Sequence, residues 1–232
     1  NVAGEYAGFL NNGGERVRLV AADGEEILDF EYNNSWYPIT DGLGFSLVIV
    51  DENAEPDLWN SKSNWRPSGQ IEGTPGGEDP GQPVFAPITV NEVLTHTDLP
   101  QLDPAELHPP TTNDLDLHGW YISDDTTNAM KFRIPENSII TARGYLVFDE
   151  DDFYSAPGLP FPFRFSSKGD EAFLFSGDPA GTQLTGYMEG FDFGAAENGV
   201  PFGRHTNSVG DVHIVPLAEL TLDGPNSGPK VG

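Results

Sequence analysis

Val17 and Leu19 alternate with Arg16 and Arg18, and Leu28, Phe30 and Tyr32 alternate with Asp29 and Glu31. This is the two-residue period of strands with one face buried. Asp23-Gly24 lies between the two runs and signals a hairpin turn. Further short apolar runs predict strands over 45–50, 88–94, 120–123, 131–134, 145–148, 171–175, 185–191 and 213–216, each closed by Gly, Pro, Asn or Asp. No stretch of ten or more residues carries a helical period with caps, so the chain reads as all-β. No apolar run approaches the roughly 18 residues of a membrane span.

Residues 68–87 are dense in Gly and Pro, too rich in breakers to hold a strand. They predict a linker between a first domain, 1–80, and a second, 81–232. The two pieces also repeat each other. NGGERVRLV from Asn12 parallels SKGDEAFLF from Ser167, and DFEY at Asp29 parallels EGFDF at Glu189. Downstream, DGLGFS at Asp41 parallels ENGVPFG at Glu197, and GTPG at Gly73 parallels DGPNSG at Asp223. On this match the first piece corresponds only to the later half of the second. Residues 5–50 supply about four strands whose apolar face needs cover, which predicts an incomplete first domain open to self-association.

In its ordered motifs the chain resembles the lamin tail domain. ITVNEV at Ile88 is similar to that family's opening strand, DLHGWYISDD at Asp116 to its Gly-Trp segment, ARGYLVFDE at Ala142 to its Gly-Tyr-Leu-Val strand, and SSKGDEAFLF at Ser166 to the step that follows. The resemblance covers most of 88–225 and about 5–76. It implies an immunoglobulin-like β-sandwich preceded by a partial copy of the same fold. It further implies a place in a multi-domain bacterial protein that is secreted or held at the cell surface. Where the family has a longer second strand this chain has AELHPP, and Pro109-Pro110 should end pairing early because neither can donate to a ladder.

Charge and side-chain chemistry narrow the function. Eleven Lys and Arg stand against 37 Asp and Glu, a net charge of −26, which repels a phosphate backbone and excludes nucleic acid as a partner. The absence of Cys removes disulfides, thiolate nucleophiles and Cys-based metal sites. His96, His108, His118, His205 and His213 form no helical zinc-binding pair. No nucleophile elbow, phosphate loop or dinucleotide fingerprint occurs.

The sequence therefore assigns no catalytic residues and requires no cofactor. Asp149, Glu150, Asp151 and Asp152, just after a predicted strand, are the candidate ligands for calcium, a hard cation held by oxygens. Trp36, Trp59 and Trp65, in turn-rich sequence, are the candidates for stacking on a glycan, while Trp120 reads as a core residue. The expectation is a non-enzymatic structural or interaction module of a larger protein, with a protein or glycan as partner. The alternative is a carbohydrate-binding accessory domain of a secreted hydrolase, stabilised by calcium.

Overall fold

The computed structural model describes residues 7–231; residues 1–6 and 232, which the domain ranges and the 5–76 match include, lie outside the described residues. The chain divides into two units, Asn1–Pro83 and Val84–Gly232. It is all-β and its sheets are antiparallel. Among the described residues the helical pieces are short 3-10 turns and one five-residue π turn, Asp151–Ser155. No helix there is long and apolar enough to cross a membrane.

In the first unit, β1 (Gly14–Val20) and β2 (Glu26–Asn33) form a hairpin. Its turn holds Gly24 at φ +92, where the predicted Asp-Gly signal places it. A second two-stranded sheet joins β3 (Leu47–Ile49) to β4 (Trp65–Pro67). The small interior is aromatic: Phe30 lies 5.1 Å from Trp65 and 5.5 Å from Trp59 between ring centroids, with Ile39 and Phe45 also buried.

Residues 68–81 belong to this unit rather than forming a free linker. The Ser68 N–H donates to Ser46 O (2.8 Å), and the Glu72 N–H to Gly44 O (2.7 Å). Asp79 then gathers the loop: it accepts from Arg66, from the Gly81 N–H (2.9 Å), the Gly69 N–H (3.1 Å) and Thr74 Oγ1 (3.2 Å). Burial opposes ionisation of Asp79, but Arg66 and the two glycine N–H groups outweigh it and hold the carboxyl below its usual range. Gly and Pro do exclude a strand from 68–87, as expected. They did not reveal that one carboxylate could organise the loop.

In the second unit the strands are β5 (Thr89–Val93), β6 (Pro104–His108), β7 (Leu115–Asp116), β8 (Tyr121–Ser123), β9 (Phe132–Arg133), β10 (Ile139–Ile140), β11 (Leu146–Asp149), β12 (Asp170–Gly177), β13 (Leu184–Phe193), β14 (Phe202–Thr206) and β15 (Val212–Pro216). One sheet runs β11-β6-β5-β14-β15 and a second runs β13-β12-β8-β9, with β10-β7 as a small third. The inner faces share one interior. Val90, Val93, Ala105, Leu107, Phe148 and Phe202 from the first sheet pack with Ile122, Phe132, Ala172, Leu174, Phe191 and Phe193 from the second. Phe153, Phe163 and Phe165 complete it from the connection between β11 and β12, with Phe153 and Phe163 stacked at 4.8 Å. β6 ends at His108, immediately before Pro109-Pro110, as the missing donors require. Trp120 is only half-buried, at the margin of this interior beside Phe85 and Tyr187; β8, which begins just after it, contributes Ile122 to the shared core.

Replacing Asp79 by Ala strands the donors that converge on it, at a cost of about 2–4 kcal/mol. Chemical denaturation followed by tryptophan fluorescence should record that loss, and limited proteolysis should find new cuts within 68–81. An unchanged midpoint and an uncut loop would contradict the role given to this carboxylate.

Candidate functional site

The three tryptophans singled out as stacking candidates come together in the first unit, Trp59 and Trp65 against Phe30 and Trp36 against Trp65. Trp59 meets Trp65 edge-on at 5.5 Å, and Trp36 lies 6.2 Å from Trp65. Trp65 is buried and its indole Nε1 donates to Trp59 O at 2.7 Å; Trp59 Nε1 donates to Ala54 O at 3.4 Å. The indole N–H groups of Trp59 and Trp65 are thus spent on the unit's own backbone. The ring of Trp36 is half-buried.

The acidic run at the end of β11 is arranged around its own backbone. Asp149 accepts from the Asp151 N–H (2.9 Å), and Asp152 from the Asp149 N–H (3.1 Å). Glu150 pairs with Arg164 at 3.0 Å. Burial pushes the Asp152 carboxyl up, against the Asp149 N–H that favours its charge. Among the described residues no three His, Asp or Glu side chains gather in a way that could hold a metal ion.

Glu150 does reach a site, though not with its sequence neighbours. A cleft of about 350 Å³ in the second unit is lined by Thr95, His96, Asp103, Glu150, Arg164 and Ser167, among others. Three separate stretches of chain build it. Asp103 precedes β6 and accepts from Thr97 Oγ1 at 2.7 Å. Burial pushes its carboxyl up, opposed by that hydroxyl and reinforced by the charge of Glu150. The Arg164 guanidinium lies 3.8 Å from the centre of the Tyr154 ring, a cation–π arrangement. His96 donates through Nδ1 to Ala196 O at 2.9 Å. Thr95 is 2% exposed, and its Oγ1 is the one buried side-chain polar atom without a partner among the described residues. This cleft offers acceptors, one guanidinium and a histidine to a small polar ligand.

The most heavily buried charge lies elsewhere and was not legible as a site. Glu92 on β5 and Glu106 on β6 are cross-strand partners, both fully buried. The pairing of β5 with β6 shifts register between Val90 and Glu92. That bulge keeps Val90 and Val93 in the core while Asn91 and Glu92 are hydrogen-bonded to the C-terminal segment. Thr221 donates to Glu92 through both N–H and Oγ1, each at 3.0 Å. Asn91 Nδ2 donates to Glu106 at 2.7 Å, and the Asp223 N–H donates to the same carboxylate. Asn226 completes the strap through Asn91 O (3.1 Å) and Arg204 O (2.9 Å). Burial pushes Glu106 up to about 7; the Asn91 and Asp223 donors oppose this, and the charges of Glu92 and Asp223 add to it. Burial likewise raises Glu92, against the donors of Thr221. In the sequence, ITVNEV shows Glu92 only as the polar member of a strand. Its burial depends on a segment about 130 residues downstream, for which local pattern carries no signal.

Compared with family models, curated proteins and solved structures, the chain matches none of them.

A carboxyl whose pKa rises on folding binds its proton more tightly in the folded chain. Its stabilising contribution is therefore complete below the ordinary glutamate range and is lost as pH climbs through about 7. Thermal stability should increase from pH 8 to pH 5, and Glu106→Gln should remove up to about 3 kcal/mol of that increase. Melting curves of both proteins across this range measure it. Parallel pH profiles would show that Glu106 does not titrate in the folded state as described.

Proposed function

We propose that the chain is a non-catalytic interaction segment of a larger bacterial surface or secreted protein, built from immunoglobulin-like modules of the lamin-tail kind. The observation that carries this reading is the strand order of the second unit. An immunoglobulin sandwich sets strands G, F and C, with C′ beyond C in some members, side by side in one sheet and D, E, B and A in the other. With β5 as A, β6 as B, β8 as C, β9 as C′, β11 as E, β12 as F and β13 as G, the orders β13-β12-β8-β9 and β11-β6-β5 follow that plan except for D, since among the described residues no strand lies on the far side of β11 and β10 pairs with β7 instead. β14 and β15 extend the second sheet beyond A. The motifs that carry the lamin-tail resemblance fall on β5, β8, β11 and β12, so they occupy the A, C, E and F places in order. The surface or secreted placement rests on that resemblance alone.

The non-catalytic part is supported by how the charged groups are used. Glu92 and Glu106 accept from backbone N–H groups of the C-terminal segment. Glu189 accepts from the Val90 N–H and pairs with Arg204. Carboxylates held this way fasten loops and strands to one another. The carbohydrate-binding alternative is weakened by the aromatic cluster, whose Trp59 and Trp65 donors turn inward.

Glycan arrays and panels of polysaccharide, peptide and phosphoester substrates, applied to the whole chain, should stay at background. Saturable glycan binding that Trp36→Ala abolishes would replace this reading with the carbohydrate-binding one. Substrate turnover that Asp103→Asn abolishes would replace it with an enzyme using the cleft.

A further inference from the structure

The two hairpins β1-β2 and β12-β13 share one register. Five successive pairs coincide: Glu15 with Tyr32 and Asp170 with Phe193; Arg16 with Glu31 and Glu171 with Asp192; Val17 with Phe30 and Ala172 with Phe191; Arg18 with Asp29 and Phe173 with Gly190; Leu19 with Leu28 and Leu174 with Glu189. Each first strand is entered through a glycine at matching φ, +114 at Gly14 and +111 at Gly169. A side chain at either would press on the partner strand's backbone, at Tyr32 and Phe193. The matching extends downstream, where Glu72 and Asp223 are both left-handed, at φ 68 and 63.

The surroundings of the two hairpins differ. β12 has a second partner on its other edge: β8, through Phe173 with Ser123, Leu174 with Ile122 and Phe175 with Tyr121. The corresponding positions on β1 are Arg18, Leu19 and Val20, and among the described residues β1 pairs with β2 alone. Leu174 is 0% exposed, whereas Leu19 is 53% and Val20 41% exposed. An apolar edge with unpaired backbone groups is a template for another strand. Within this molecule the second unit displays what fills such an edge. Arg16 and Arg18 are both more than half exposed and already pair with Asp29 and Glu26 of β2, so the character of the incoming strand is read from β8 and not from free charge on β1. β8 is followed by Asp124 and Asp125, which antiparallel pairing in this register would set opposite Val17 and Arg16.

We propose that the outer edge of β1, at residues 18–20, takes an antiparallel strand of the β8 kind from a partner protein: a short aromatic–aliphatic run ending in acidic residues. This deepens the interaction-module reading and rests on it, by naming the surface and the chemistry of what it receives.

The test is a fluorescein-labelled synthetic peptide with the sequence of residues 117–125, LHGWYISDD, titrated with the whole chain and followed by anisotropy. Amide hydrogen exchange of the chain is recorded with and without the unlabelled peptide. Saturable binding, slowed exchange confined to β1, and an affinity reduced about tenfold or more in Leu19→Lys are expected, because a charge turned onto this edge opposes strand addition. A peptide carrying Lys in place of the isoleucine should not bind. The melting temperature of Leu19→Lys, unchanged because the side chain is exposed, separates a lost edge from a lost fold.

Four results would overturn the proposal: no saturable binding at millimolar chain, binding indifferent to Leu19→Lys, protection in the free chain of those β1 amides that do not bond to β2, or chain dimerisation that Leu19→Lys abolishes without peptide binding. The last would give the edge to a second copy. None of them touches the non-catalytic reading, which falls instead to turnover or glycan binding.

Discussion

The enclosure of one apolar interior between two pleated sheets governs the second unit. A strand puts successive side chains on opposite faces, so once Val90, Ala105, Leu107, Ala172 and Leu174 turn inward, the alternate positions must be solvated or covered. The acidic run at the end of β11 follows from the same requirement. Its π turn drives Phe153 into the interior, where Phe163 and Phe165 meet it. Of the four acids at residues 149–152 on the shoulder of that turn, Asp149 and Asp152 accept from its backbone and Glu150 pairs with Arg164. Burying rings of this size stabilises by about 2–3 kcal/mol each, ample to order a charged turn around them.

On the outer side, Glu92 and Glu106 carry the consequence of the bulge at β5. Two carboxylates desolvated together are costly unless every lone pair finds a donor. Here Thr221, Asp223 and Asn91 supply those donors, tying the C-terminal segment across the sheet. The first unit also holds a hairpin entered through a glycine and a left-handed acid, but meets its apolar surface differently. A longer connection between β3 and β4 brings Trp59 over Phe30, and Asn60 Oδ1 accepts from the Glu31 N–H at 2.9 Å. The β2 side of the hairpin is covered in this way, and the β1 side is left exposed.

Strands with a clean period of two were legible in the sequence, together with the Asp-Gly hairpin and the stop at Pro109-Pro110. The all-β class followed from them. β14 escaped because Gly203 and Arg204 interrupt its apolar pattern; Gly203 packs against Leu217 and Asn226, where a side chain would collide. β4 escaped because it is three residues long and ends in proline. Trp36, Trp59 and Trp65 were singled out one by one for lying in turn-rich sequence, which carries no signal that Trp36 and Trp59 would both pack on Trp65. The cleft was invisible for a stronger reason. Asp103 comes from the β5–β6 connection and Glu150 and Arg164 from opposite ends of the β11–β12 connection, and only Glu150 lay in a run that attracted notice.

Each hairpin pairs five residues in succession beginning just after its entering glycine, Gly14 or Gly169. Cross-strand contacts between α-protons test it, since they arise only at pairs without mutual hydrogen bonds and alternate along the ladder. In a labelled sample the pattern along Glu15–Tyr32, Val17–Phe30 and Leu19–Leu28 should match, pair for pair, the pattern along Asp170–Phe193, Ala172–Phe191 and Leu174–Glu189. A slip of one residue in either ladder, which would turn its apolar side chains to the opposite face, would contradict the account.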